Sequence, residues 1–427
     1  MNEPPERGRL PYLEEPPRRT PIVAEADVLV AGGGAAGVAA AVAAARNGAR
    51  TILVERYGYA GGLATGGLII LLLTLDDGRG QQVTAGLCQE LVDRLDVAGA
   101  AYYPPRGQWG SDDPALVEHC RRWGLVWGSP PHTVRYSVAY DPEAFKRCAD
   151  DLLQEAGVEL RYHTWAAEAL VDDDTISHVI VQSKAGRGAI RTRMVIDATG
   201  DGDLFASAGE PFELERVHPW LWFRMANVDT AHMQGSGRDV GYQTLGEGHV
   251  LIPWGGQGRI DRRIDATDPL ELTHAEVECR RLAEREARRL IQTEPGFEHA
   301  YLTDVATQLG ITESRRLLGR RVLGREQIDV RFPDTVARCG HWTKYGAVYD
   351  IPYGCLLPPR ISNLLVAGRC ISVDHRAHHA TKEIPPCFAT GEAAGTAAAL
   401  AARAGLSAPA VGVIELRRQL TRQGAIV

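Results

Sequence analysis

Apolar residues along the chain gather into two kinds of run. VLVA at 28–31 is short, rich in β-branched residues and stops at glycine, which is the pattern of a buried strand. The alanine-rich segment after it has the length and propensity of a helix, and RTILVE, ending at 55, reads as a second strand. Residues 141–196 continue in the same manner. Asp141-Pro142 has the form of a helix cap with proline at the first helical position, and AFKRCADDLLQEAG keeps helical periodicity to Gly157. VELRYH, EALVD, ISHVIVQS and AIRTRMVI follow as strands separated by turn residues, so a helix feeds a strand and then a β-meander. After VIDATG, Asp201 and Asp203 are placed to cap the next turn. NLLVAGRCIS near the C-terminus is another strand running into glycine, at Gly368. IPPCFATGEAAGTAAALAARAG then reads as a helix that starts at Pro385 and Pro386 and packs closely on a sheet.

The first strand–helix junction carries glycines at 32, 34 and 37, a GxGxxG spacing. Gly32 permits a tight turn, Gly34 lets the backbone approach a pyrophosphate, and Gly37 lets the helix pack closely on the sheet. Ala35 and Ala36 open a helix whose N-terminus offers amide donors and partial positive charge to phosphates. The second strand ends in Glu55, 23 residues after Gly32, where a carboxylate can accept hydrogen bonds from a ribose hydroxyl pair. A glycine-rich turn beside a core helix would explain the glycines alone. It does not explain strand, helix, second strand and acidic end all in register. A dinucleotide is expected here.

Composition narrows the partner. A chain of 427 residues with 44% hydrophobic content can hold two domains or one large discontinuous one. Lys and Arg number 47 against 54 Asp and Glu, a net charge of −7 without long blocks of one sign. Nothing therefore favours nucleic acid or an anionic membrane, and a small molecule is the expected partner, with a homo-oligomer or a redox partner left open. GLIILLLTL after Gly66 is too short to span a bilayer, and the proline-rich, charged start lacks a signal-peptide core. These features point to a cytoplasmic protein with a flexible leader over residues 1–24. The eight cysteines form no CxxC pair and have no zinc-site spacing, so reduced thiols and no metal are expected.

AGGGAAG, ERYGYAGGLATGG, DATGDGD, the ESRRLLG stretch and the GRCIS…PPC…GEAAG ending together resemble the FAD-dependent oxidoreductase family with a glutathione-reductase-type nucleotide fold. More narrowly, they resemble the bacterial branch distantly related to fumarate reductase flavoprotein subunits, over most of residues 25–404. The resemblance implies an α/β fold with a Rossmann-like FAD-binding domain of the β-β-α type, discontinuous over 25–75, 136–210 and 351–427. Into it an α+β substrate-binding cap, 76–135 and 211–350, would be inserted. Carried onto this chain, Gly32, Gly34 and Gly37 would contact the FAD pyrophosphate, Glu55 the adenosine ribose and Arg56 the adenine side. Gly61, Gly62 and Thr65 would line the flavin and ribityl chain, and Asp201 would lie near the pyrophosphate. Gly368, Arg369 and Cys370 would pass the ribityl end. The helix beginning near Pro386 would direct its positive end at the pyrimidine side of the isoalloxazine.

The same resemblance limits the chemistry. The position of the disulfide reductases' cysteine pair reads GYAGGLATGG, which removes dithiol chemistry. GRCIS stands where related aromatic hydroxylases carry a GD pair, so monooxygenation ranks lower. No histidine occurs between Glu55 and Asp77, so FAD is expected to be held non-covalently. A dehydrogenase or reductase remains, in which a hydride moves between a small molecule and FAD while a side chain moves a proton. The alternative is a flavin-binding subunit that is idle alone or passes electrons to a partner. Arg315 could bind a substrate carboxylate or serve as the acid, or belong to a solvated basic face. His375, His378 and His379 stand just before the flavin-facing helix as candidate bases, with His375 leading and His341 weaker. Lys382 occupies the place of an arginine common in the family, without its bidentate fork. Seven of the eight tryptophans fall in the expected cap, where they either line a pocket or fill its core.

Overall fold

The computed structural model describes residues 15–235, 240–257 and 260–427, so residues 1–14 of the expected leader lie outside the described residues. In chain order the elements that build the nucleotide-facing body are β1 (Ile22–Ala31), α1 (Ala35–Arg46), β2 (Thr51–Val54), α2 (Leu87–Val97), α3 (Pro142–Glu155), β3 (Glu159–Arg161), β4 (Trp165–Asp172), β5 (Thr175–Ser183) and β6 (Gly186–Asp197). They continue with α4 (Pro269–Thr293), β7 (Thr335–Gly340), β8 (Val348–Pro352), β9 (Leu364–Val366), α5 (His375–Thr381) and α6 (Ile384–Ala404). β1 starts before residue 25 because Ile22 already pairs with Ala189 of β6.

One sheet of seven strands runs in the order β3-β2-β1-β6-β5-β4, with β9 paired to the C-terminal end of β6. β1, β2, β3, β6 and β9 are parallel, and β4 and β5 form the antiparallel meander. The register aligns Ala31 with Val54 on one side and Asp197 on the other, and Asp197 with Val366. The carboxyl ends of four parallel strands therefore form one row. That row is where such a sheet receives a ligand.

Helix α3 shows how local the sequence signals are: the Asp141 carboxylate accepts from the Ala144 N–H at 2.8 Å and Pro142 occupies the first turn. The turn after β6 is capped differently from expectation. Asp197, rather than Asp201 or Asp203, accepts from the N–H groups of Leu204 and Phe205 at 3.0 and 2.9 Å. α1 is buried without a break from Ala35 to Ala44, because α6 lies directly against it. Alanine and glycine suit this place since larger side chains would hold the backbones apart.

The expected cap divides into two parts. Strands Tyr242–Gln243, Val250–Ile252, Phe223–Ala226 and Tyr301–Val305 form a separate antiparallel sheet. α4 covers it, and Phe223, Ile252, Ala287, Leu290 and Phe297 share a small core of their own. By contrast α2, inside the 76–135 stretch, packs on α3 and α6 and buries Leu87, Leu91 and Leu95 in the main core. Strand β7 of the β7–β8 hairpin, inside 211–350, lies on α6 as well. Among the described residues no helix is long and apolar enough to cross a membrane.

A buried carboxyl links α6 to α2. Glu392, 2% exposed, accepts from the Leu87 N–H at 3.0 Å, and burial pushes its carboxyl up to about 7. A folded-state pKa above the ordinary 4.5 means stability that is fully present below about 4.5 and lost as pH rises through about 7. Glu392→Gln keeps the acceptor oxygen and cannot ionise. Its melting temperature is expected to fall less than the parent's between about pH 6 and about pH 8.5; parallel decreases in the two proteins would refute the linkage.

Candidate active site

The row of strand ends opens onto a cavity of about 640 Å³. Its floor is the turn after β1. Gly32 adopts φ 97°, and a Cβ there would meet the Ala198 carbonyl oxygen at 2.4 Å, so the turn needs glycine for conformation and for space. A Cβ on Gly37 would meet the Gly32 carbonyl oxygen at 1.8 Å; the close approach this glycine permits is to the turn itself rather than to the sheet. Gly34 differs from both. It lines the cavity as the N-cap of α1, and a Cβ on it would meet no protein atom within 4 Å. Beside it, Ala35 and Ala36 face the cavity from a first helical turn whose amides have no intrahelical acceptor.

A second glycine pair is fitted to this turn. The Gly61 N–H donates to the Gly33 carbonyl at 2.8 Å, and a Cβ on Gly62 would stand 3.1 Å from the Gly34 Cα. Past the end of β2, the Glu55 carboxylate accepts from the Gly33 N–H at 2.6 Å and the Tyr57 N–H at 2.8 Å. Two backbone amides thus fix its direction at the cavity wall. The Arg56 guanidinium lies 5.0 Å from the Tyr57 ring and 5.4 Å from the Trp165 ring. Trp165, outside the expected cap, is the tryptophan that lines the cavity.

The facing wall joins β6 to β9. Asp201 accepts from Arg369 Nη2 at 2.7 Å and from the Ser314 hydroxyl. Burial would raise this carboxyl, but Arg369 and Ser314 outweigh it and hold it below its ordinary value. Arg369 Nε is buried and has no partner among the described residues. Gly368, at φ 86°, carries the chain past α1 there. Four expected contact residues stand behind the wall instead of in it. Gly37 is used by the turn, and the Thr65 hydroxyl donates to the Ala60 carbonyl at 2.8 Å. Cys370 is fully buried with its thiol toward the Ala367 carbonyl, and the Pro386 carbonyl accepts from Thr390 Oγ1 at 2.9 Å.

The expected catalytic histidines are also not in the wall. His375 has a side chain 60% exposed, with Nδ1 3.0 Å from Glu313. His378 is buried and its Nε2 lies 2.9 Å from the Arg369 carbonyl, which only accepts, so Nε2 carries the proton. Burial holds it well below the ordinary histidine pKa, a neutral strut under Arg369. His379 stacks on Trp342 at 4.9 Å, and burial lowers it to about 4. His341 is buried as well, lowered to about 3. The three positions share one face of α5, and that face turns toward Glu313 rather than the cavity: His378 Nδ1 also lies 3.5 Å from the Glu313 carboxylate.

Arg315 does line the cavity, but it is engaged there: Nη1 lies 3.0 Å from Asp203 and 3.1 Å from the Asp201 carbonyl. Asp203 also borders the recess of Gly32, Glu55, Arg56 and Trp165, so Arg315 belongs to the end near β2. Glu215, Glu313 and His375 offer three atoms within 4.8 Å of one another, yet Glu313 is already paired with Arg316 Nε at 2.7 Å. The expected cap tryptophans pack on each other: Trp127 lies 5.2 Å from Trp254 and 5.6 Å from Trp342, and Trp222 lies 5.7 Å from Trp254.

Lys382 and Glu383 line the cavity at the start of α6. Burial raises the Glu383 carboxyl to about 7, against the opposing charge of Lys382. Glu383 is the residue that sequence reasoning passed over. Its signal was a charged pair set one residue ahead of two prolines, at the start of an alanine-rich helix.

Residues 27–420 match the family model described as FAD dependent oxidoreductase. The chain belongs to that family. It is an FAD-dependent enzyme, and the cavity suits its cofactor: the open space at Gly34, the free amides of α1 and the amide-fixed carboxylate of Glu55 are the donor and acceptor set a dinucleotide needs. No curated protein sequence matches this one. Among solved structures it is similar to a geranylgeranyl bacteriochlorophyll reductase-like protein from Thermoplasma acidophilum, at 15% identity and TM-score 0.50, over 94% of this chain and 84% of that one. It is also similar to p-nitrophenol 4-monooxygenase from Pseudomonas putida DLL-E4, at 14% identity and TM-score 0.52, over 93% and 86% of the two chains. The likeness is one of fold, shared by a reductase-like protein and a monooxygenase.

Proposed function

We propose that this enzyme is a dehydrogenase or reductase that moves a hydride between a small molecule and non-covalently held FAD. The observation that carries the reading is the unpaired Lys382 and Glu383 side chains in the cavity wall, at the start of α6. A protein that only stores FAD has no use for a protonable carboxyl there, whereas hydride transfer needs a group that moves a proton. In this reading the amides of Ala35 and Ala36 hold the pyrophosphate, Glu55 takes the ribose hydroxyls, and the Arg369–Asp201 pair with His378 behind it keeps the facing loop in position. FAD, when bound, supplies the two-electron acceptor or donor. Cys387 is the single thiol of the wall, and burial pushes it up to about 12, which supports a route without thiolate chemistry.

Anaerobic mixing of the FAD-loaded protein with hydroxy acids, amino acids and reduced nicotinamides, followed at the visible flavin bands, tests this. Bleaching by a hydroxy or amino acid, faster than free FAD reacts, is the expected result. Bleaching by reduced nicotinamide alone, with oxygen then incorporated into an aromatic substrate, would make the protein a monooxygenase. No bleaching by any donor would leave an FAD-binding subunit.

A further inference from the structure

We propose that Lys382 and Glu383 form the substrate end of the cavity: Lys382 anchors a carboxylate, and Glu383 exchanges the proton that accompanies hydride transfer, so the substrate is a small carboxylate bearing a hydroxyl or amine on the carbon to be oxidised. This rests on the hydride-transfer reading above.

The first argument is one of position. Glu55 follows β2, whereas Lys382 and Glu383 follow β9 and α5, and β1 and β6 lie between β2 and β9 in the sheet. Three strand spacings make roughly 14 Å across the row of strand ends. Glu383 itself caps α6 eight residues ahead of Gly391, where α6 meets Ala36 of α1, so the pair stands about 12 Å along the helix from that contact.

The second argument is one of pairing. Every other acidic side chain in the cavity wall has a protein partner: Glu55 has two amides, Asp201 has Arg369, Asp203 has Arg315, and Glu276 has Arg280 at 2.7 Å. Among the cations, Arg315 and Arg369 are held by those carboxylates and Arg56 lies against two rings. Lys382 and Glu383 form no ion pair or side-chain hydrogen bond with the described residues, and Lys382, unlike Arg56, has no ring against it among them. A lysine ammonium is a compact charge suited to one carboxylate oxygen, and the positive end of the 21-residue α6 adds to it.

The third argument is chemical. For a hydroxy acid, the C–H bond breaks and leaves with its electron pair as hydride to the cofactor, the O–H bond breaks and its proton passes to the Glu383 carboxylate, and C=O forms. Glu383 then releases the proton to water; reduction runs the same exchange backwards. The groups that face Glu383 are Lys382 and Cys387 on its own stretch and Cys339 on β7, and burial keeps both thiols neutral. Nearby, His378 and His379 are held below the neutral range. Titration of this end near neutrality thus falls to Glu383, raised to about 7.

Two measurements on FAD-loaded protein test the pair without a substrate. Acetate should perturb the flavin bands saturably, and Lys382→Met should weaken that titration at least about 10-fold while Lys382→Arg retains most of it. A pH titration of the same bands should show an inflection near 7 that Glu383→Asp keeps and Glu383→Gln loses. With a hydroxy-acid donor that bleaches the parent, Glu383→Gln should slow bleaching by about 10² to 10⁴-fold. Unchanged acetate binding in Lys382→Met, or an inflection or bleaching rate preserved in FAD-bound Glu383→Gln, overturns the proposal. If no donor bleaches even the parent, the hydride-transfer reading fails instead, and the acetate and pH titrations still judge the pair.

Discussion

Gly34→Val is expected to fold normally and to leave purification without FAD. A Cβ at Gly34 meets no protein atom within 4 Å, and the backbone there, φ −68° and ψ −177°, is extended and open to valine. The apo fold therefore has no reason to change. The added isopropyl group instead stands in front of the α1 amides, in space that a pyrophosphate must enter to reach them. Loss of these charge-assisted hydrogen bonds should weaken FAD binding at least about 100-fold, or about 2.7 kcal/mol. The check is the flavin-to-protein ratio after gel filtration, beside circular dichroism and the melting temperature of the apo parent. Full flavin occupancy would remove the turn from the cofactor site. Gly37→Val provides the contrast, since its Cβ would overlap the Gly32 carbonyl oxygen at 1.8 Å. Both variants lose flavin, but only Gly37→Val should lose the fold as well.

What could be read in the sequence was what depends on neighbours along the chain. The glycine turn, the acidic end of β2 and the Asp141-Pro142 cap each answer a local demand, a positive φ, a close approach or an unpaired helix end, and all three stand where they were expected. Side-chain direction across the fold is another matter. Three histidines within five positions suggested a cluster at the flavin, yet α5 turns His378 inward to the Arg369 carbonyl and His375 outward to solvent. Arg315 was drawn from the resemblance as a substrate or proton-transfer group; its partner Asp203 is more than a hundred positions away in sequence and could not be seen from the local motif. The 76–135 stretch looked like cap because it lies between nucleotide-binding segments. Leu87, Leu91 and Leu95 do make one apolar helix face, but a face of that period fits any layer, and here it fits α3 and α6.

GEAAG was legible as a motif and silent about its reason, which the packing of α6 supplies. A Cβ on Gly391 would lie 2.1 Å from the Ala36 carbonyl oxygen, and one on Gly395 would lie 2.1 Å from that of Ala40. Positions four apart on one helix thus meet positions four apart on the other, backbone against backbone. Gly395→Ala should consequently reverse an ordinary rule. In an open helix, glycine to alanine stabilises by roughly 0.5–1 kcal/mol through helix propensity. Here the methyl group must push α6 off α1 by roughly 1 Å to reach normal contact distance, along a helix buried from Ala35 to Ala44. Overpacking of this kind costs about 1–3 kcal/mol, and the contact is backbone to backbone, so no side chain can rotate away. The expected result is a net loss of about 2 kcal/mol or more in urea unfolding of the apo protein. Flavin affinity should fall with it, because α1 carries the amides of Ala35 and Ala36 that face the cavity. A variant that melts at or above the parent temperature would mean that the two helices have room the present packing denies them.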